Sequence, residues 1–78
     1  MASRRTNGVA IRELRKALGI SVSDLAEAAG VDRTALWRIE TGDTQPRPAT
    51  LRKIAHQLGV PLAAITSPVA DEPEDVAS

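Results

Sequence analysis

The sequence predicts an all-α fold, a compact domain of five short helices. Three observations carry this. Apolar residues recur at helical spacing in each segment up to residue 65. Those segments are bounded by capping residues or proline in front and mostly by glycine behind. The hydrophobic residues, 42% of the 78, include a single aromatic, so the core is built from Leu, Ile, Val and Ala, which suits short helices with closely approaching backbones. With no cysteine, helix packing rather than disulfides or thiolate-bound metal must hold the chain together.

The first helix is expected from about Asn7 or Gly8 to Leu18, with Ile11, Leu14, Arg15 and Leu18 on one stripe and Gly19 as the stop. An arginine on a buried stripe needs a partner, and Glu40 at the edge of the third helix is the obvious one. The second helix starts near Val22. Ser21 precedes it and Asp24 follows three residues later, an acidic variant of the capping box. Leu25, Ala26 and Ala29 form its narrow small-residue face, and Gly30 supplies the positive φ that ends it. After the turn Gly30-Val31-Asp32, Asp32 caps a third helix (33–41) that Thr41-Gly42 closes.

On that third helix the step of about 100° per residue puts Ala35, Leu36 and Ile39 on one arc and Arg33, Thr34, Trp37 and Arg38 on the other. A solvated face ordinarily carries Glu and Lys. This one carries two Arg, a Thr and the chain's only aromatic, side chains suited to reading base edges or holding phosphates. The fourth helix begins at Pro48 and buries Leu51, Ile54, Ala55 and Leu58 before Gly59, and a fifth, Pro61 to about Ile65, adds Leu62 and Ile65.

The formal charge of zero conceals an asymmetry. Residues 1–65 hold ten basic against six acidic residues, a net of +4, while 66–78 hold four acids and no base. Such a split points to an interaction surface hidden by the overall balance. The sequence therefore divides into a flexible N-terminal arm (1–7), a folded helix-turn-helix domain (8–65) and an acidic tail (66–78) expected to be disordered. No stretch approaches the ~18 apolar residues of a membrane span and Met-Ala-Ser-Arg-Arg precedes no apolar signal core, so the expected location is cytoplasmic.

Ile11-Arg-Glu-Leu-Arg15, Leu18-Gly-Ile-Ser21, Leu25-Ala26, Ala29-Gly-Val31, Leu36-Trp-Arg-Ile-Glu40, Gly42, Pro46, Leu51 and Leu58-Gly-Val-Pro61 together resemble the Cro/phage-repressor (XRE-like) helix-turn-helix family over about residues 8–65. The resemblance implies a five-helix, lambda-repressor-like domain, often dimeric on DNA, with its third helix in the major groove. It maps the family's ion pair onto Arg15 and Glu40. It assigns base readout to Arg33, Thr34, Trp37 and Arg38, and phosphate contacts to Ser21, Val22, Ser23, Thr41 and Arg47. Arg4 and Arg5 are candidate arm contacts to the backbone or minor groove, beside the plainer reading of an unstructured basic terminus.

Three positions depart from the family pattern. Val22 replaces a glutamine that braces a phosphate, so that side-chain contact is lost. The loop after the third helix begins Gly42-Asp43-Thr44-Gln45 rather than with basic residues; either Arg47 compensates or the loop stands off the DNA. Trp37 is large for its position, and two readings stand side by side: contact with a thymine methyl, or stacking on Arg33.

His56 is expected on the surface, with no second His, Cys or carboxylate motif to make a metal or catalytic site. No cofactor is implied, and no nucleophile–base pair or phosphate-cradling loop suggests an enzyme. The expected partner is a double-stranded DNA operator, bound by a small Cro-like phage or prophage repressor controlled by its concentration. The alternatives are an antitoxin that binds its own promoter and a toxin protein, and an interaction module that has lost DNA binding. A homodimer, in solution or formed only on DNA, would use apolar surface around Val60, Leu62 and Ile65, or Val69.

Overall fold

Four α-helices, a 3₁₀ turn and a two-stranded ribbon make up the domain. The computed structural model describes residues 4–68. The order is β1 (Arg4–Thr6), α1 (Gly8–Ala17), α2 (Val22–Ala29), α3 (Arg33–Glu40), α4 (Pro48–Leu58), the 3₁₀ turn (Leu62–Ile65) and β2 (Thr66–Pro68). The fifth predicted helix is thus only a 3₁₀ turn: four residues behind Pro61 are too few for the nucleation cost of an α-helix. Among the described residues no helix is long and apolar enough to cross a membrane.

The caps sit where the sequence placed them. Ser21 Oγ accepts a hydrogen bond from the Asp24 amide at 3.0 Å, and Asp32 Oδ2 accepts one from the Thr34 amide at 3.1 Å. Gly30 ends α2 at φ 71°, which lets the Val31 amide reach the Ala26 carbonyl and turns the chain into α3. Pro48 occupies the first turn of α4, where its missing N–H is no loss. The core gathers one or more residues from every helix, with Ile11, Leu25, Leu36, Ile54 and Ile65 its largest fully buried side chains.

Three burial expectations fail. Leu18 is 54% exposed, because α1 ends at Ala17 and the chain turns away at the C-cap. Ala35 is exposed at the border of α3's packed arc, and Leu62 is 38% exposed where the 3₁₀ turn replaces a helical repeat. Conversely Ile65 is fully buried in the core, which removes it from any dimer patch; Val60 is half-buried and Val69 lies outside the described residues.

The larger correction concerns the two ends. Residues 4–6, expected to be a flexible arm, pair antiparallel with 66–68, expected to be disordered tail: Arg4 faces Pro68, Arg5 faces Ser67 and Thr6 faces Thr66. Asn7 makes this pairing possible. Its Oδ1 caps α1 by accepting from the Ala10 amide, its own amide donates to the Ile65 carbonyl at 2.8 Å, and its Nδ2 donates to Ser67 Oγ at 3.0 Å. The loop after α3 is tied to the same ribbon, since the Thr6 amide donates to Gln45 Oε1 at 3.0 Å. The remaining tail residues, 69–78, lie outside the described part.

Gly8 opens α1 against the end of α3. A Cβ there would collide with the Ile39 carbonyl oxygen and lie 2.6 Å from that of Glu40, backbone atoms that cannot rotate aside. Gly8→Ala is therefore expected to destabilise the domain by at least ~1–3 kcal/mol, the cost of overpacking, despite the better helix propensity of alanine. Thermal denaturation checks this; an unchanged or higher midpoint would show that α1 and α3 are less closely apposed.

Candidate nucleic-acid interface

Two short helices and the turn between them build one polar face. The Ser21 cap consumes one amide of the first turn of α2 and leaves other early amides without an intrahelical acceptor, so this end carries partial positive charge. On α3, Leu36 and Ile39 are buried while Arg33, Thr34, Trp37 and Arg38 are exposed, as the wheel predicts. The turn brings the two halves together: Ser21, Val22, Ser23, Arg33, Thr34 and Trp37 line a single open recess. Three residues expected at phosphates and three expected at bases thus share one concave surface. Trp37 is 57% exposed there and lines the recess together with Val22.

The other predicted residues are placed differently. Arg38 is exposed on α3 but outside the lining of this recess, and Arg47 is exposed at the N-cap of α4, after the loop. Thr41 lines a second recess, and its hydroxyl donates to the Arg38 carbonyl at 3.2 Å, so its proton is already used. Arg4 does not form an arm: its Nε donates to Thr66 Oγ1 at 2.7 Å and its Nη2 to the Thr66 carbonyl at 2.8 Å, holding the guanidinium on the ribbon. Arg5 is exposed in the same strand.

Arg15 fixes the orientation of the face. Its Nε donates to Glu40 Oε2 at 2.8 Å and its Nη2 to Glu40 Oε1 at 3.1 Å, while Nη1 donates to the Ile20 carbonyl at 2.9 Å. One planar guanidinium thereby joins α1, the turn leading into α2, and the last residue of α3. Such bidentate geometry is what arginine offers and lysine does not. Glu40 sits at the negative end of the α3 dipole, where a carboxylate is disfavoured, so the arginine also offsets that repulsion. The hydrogen bond to Glu40 holds the Arg15 pKa above its ordinary value against the opposing effect of burial. A base whose pKa rises on folding contributes stability that is fully present below its unfolded value and is lost only as pH climbs through the raised one. No alkaline transition in the ordinary working range traces to this arginine.

Sequence reasoning did not single out Arg12 and Lys16. Both line the second recess, with Arg15, Val22, Trp37, Glu40 and Thr41. The available signal was their spacing: four residues apart on α1, about 40° apart around the helix, next to the stripe that carries Arg15.

A helical domain with a capped helix, a three-residue turn and an exposed Arg-rich helix defines a helix-turn-helix protein. The chain belongs to the XRE/Cro-type helix-turn-helix family, whose model (HTH_3, helix-turn-helix) matches residues 11–65. It is 45% identical over 58 residues to the HTH-type transcriptional regulator SutR of Escherichia coli, a match covering 74% of this chain and 33% of SutR. The chain spans a third or less of the length of its foremost curated relatives. Among solved structures, the restriction-modification controller protein C.AhdI of Aeromonas hydrophila superposes with a TM-score of 0.71 at 32% identity, covering 73% of this chain and 86% of that one. The biofilm regulator SinR, solved in complex with DNA, gives 0.68 at 38% identity, covering 73% and 95%; its N-terminal DNA-binding domain is known from Bacillus subtilis.

Arg15→Ala is expected to cost about 3–5 kcal/mol, because it strands a buried carboxylate, whereas the pair Arg15→Met with Glu40→Leu recovers most of that loss. Melting followed by helical circular dichroism checks both. If Arg15→Ala melts like the parent, the pair does not hold the helices.

Proposed function

We propose that this chain is a sequence-specific DNA-binding transcriptional regulator that occupies an operator with α3 in the major groove, in the manner of a small Cro-like phage or prophage repressor. The observation that carries this is the shared recess of Ser21, Val22, Ser23, Arg33, Thr34 and Trp37. An α-helix fits the major groove of about 12 Å, and a helix N-terminus beside it meets the flanking phosphates. In this reading Arg33 donates two hydrogen bonds to a guanine edge, Thr34, Trp37 and Arg38 complete the readout, and the Val22 and Ser23 amides with the Ser21 hydroxyl set the register. Arg47 reaches a phosphate beyond the loop. The kinship to HTH-type regulators and the DNA complex of SinR support the reading.

One such helix covers only a few base pairs, so two copies are proposed to bind half-sites about one helical turn, ~34 Å, apart.

The test is binding to the DNA upstream of the protein's own gene and to a scrambled duplex, across a salt series, with a footprint on the bound fragment. Tight, salt-dependent binding confined to the native fragment supports an operator-binding regulator; binding to neither overturns the reading. Within that assay Arg33→Ala is expected to lower affinity for the specific site about 5- to 150-fold, equivalent to ~1–3 kcal/mol, with a much smaller effect on scrambled DNA. Equal loss on both duplexes would remove Arg33 from base readout.

A further inference from the structure

The polar face carries one apolar spot. The exposed large apolar side chains among the described residues are Val9, Leu18, Trp37 and Leu62, and of these Trp37 alone lines either of the two recesses described above. Val22, half-buried against the core, lines both recesses with it, so the two residues form a common wall. Neither side chain is built for a phosphate: valine has no polar atom, and the indole offers a single N–H donor. Packing within the protein does not use up the ring, which is more than half exposed. Stacking on Arg33 would cover only part of it, because the wall continues into the second recess, which Arg33 does not line.

A major groove offers such a wall few matches. Base edges there present hydrogen-bond donors and acceptors, with one apolar exception, the methyl group on C5 of thymine. 5-Methylcytosine carries the same group on the same ring atom. A purine or an unmethylated cytosine against the wall would leave its polar edge facing carbon, desolvated and unpaired. Four residues of helix separate Arg33 from Trp37, a rise of ~6 Å, against a base-pair spacing of ~3.4 Å. The matching pyrimidine therefore falls within about two base pairs of the guanine assigned to Arg33.

We propose that Trp37 and Val22 form a site for the C5-methyl group of a pyrimidine, so that the protein selects its operator by an apolar group as well as by hydrogen bonds. The inference rests on the DNA-binding reading above and names the chemical group that one part of that face recognises. It gives a shared role to two residues that depart from the family pattern, a valine without a side-chain phosphate contact and a tryptophan large for its position. Covering one methyl in an open recess is worth about 4-fold in affinity.

The test starts from the footprinted duplex and replaces its thymines one at a time by deoxyuridine, which removes the methyl and keeps every hydrogen-bonding group. The parent is expected to lose about 4-fold at a thymine within two base pairs of the guanine that Arg33 reads, and little elsewhere. Trp37→Ala is expected to bind the thymine and uracil duplexes alike. Arg38→Gln, changed at an exposed α3 position outside both recesses, is expected to bind more weakly but to keep the parental thymine-to-uracil ratio. In a further pair of duplexes the sensitive base pair becomes C·G, with and without a methyl on cytosine C5. A gain of about 4-fold on methylation extends the site to 5-methylcytosine; a uracil loss without that gain supports the site and restricts it to thymine. The uracil series on the parent needs no variant, so a Trp37→Ala protein that fails to fold leaves the test intact. If the parent binds but no uracil lowers its affinity, or Trp37→Ala loses as much as the parent on the uracil duplex, the methyl site is refuted while the DNA reading stands. If the parent binds no duplex, both fall.

Discussion

Everything on the polar face depends on the Arg15 guanidinium. Its three donors reach the turn before α2 and the last residue of α3, so the two halves of the face are positioned by the same group, anchored in α1. The arrangement is strained neither at the arginine, which gains acceptors in return for burial, nor at Glu40, whose repulsion from the end of α3 is offset. A buried ion pair is weak evidence for added stability over an apolar substitute. Its value here is directional: a greasy pair would fill the same volume without fixing the angle at which α3 is presented. The contact of Gly8 with the Ile39 and Glu40 carbonyls reinforces that junction with backbone, so α1 meets the end of α3 at two places.

A second tier of contacts closes the domain behind this junction. Asn7 links the start of α1 to the 3₁₀ turn and to β2, and Gln45 brings the loop after α3 to β1. Chain segments from both ends of the described region are drawn to the same side, and Arg4 is spent on Thr66 rather than left for a groove. That loop, where Asp43 stands in place of a basic residue, is therefore placed by contacts within the protein.

Much of this was legible because it is local. Ser21, Asp32, Pro48 and Gly30 act on backbone groups within four residues of themselves, so α2, α3 and α4 begin or end where those residue types dictate. The Arg15–Glu40 pair, 25 residues apart, was legible for a different reason: a charge on an apolar stripe demands a partner. The ribbon was not legible. Arg4-Arg5-Thr6 and Thr66-Ser67-Pro68 have no alternating apolar pattern, and their pairing, between residues far apart in the chain, is created by the closeness of Asn7 to Ile65 once the core has formed. Leu18 misled because the period was carried one residue past the end of α1. Arg12 and Lys16 resemble any solvated helix face until tertiary structure places them beside Trp37.

The most direct measurement uses the chain's single tryptophan, which stands more than half exposed in the wall between the two recesses. Its emission and its quenching by acrylamide would be followed while the specific duplex is added, with binding monitored independently by the anisotropy of a dye on the DNA. If the α2–α3 face holds the DNA, emission changes saturably, quenching falls, and both track the anisotropy curve. Saturated binding with Trp37 still as accessible as in the free protein would place the DNA elsewhere and contradict the account.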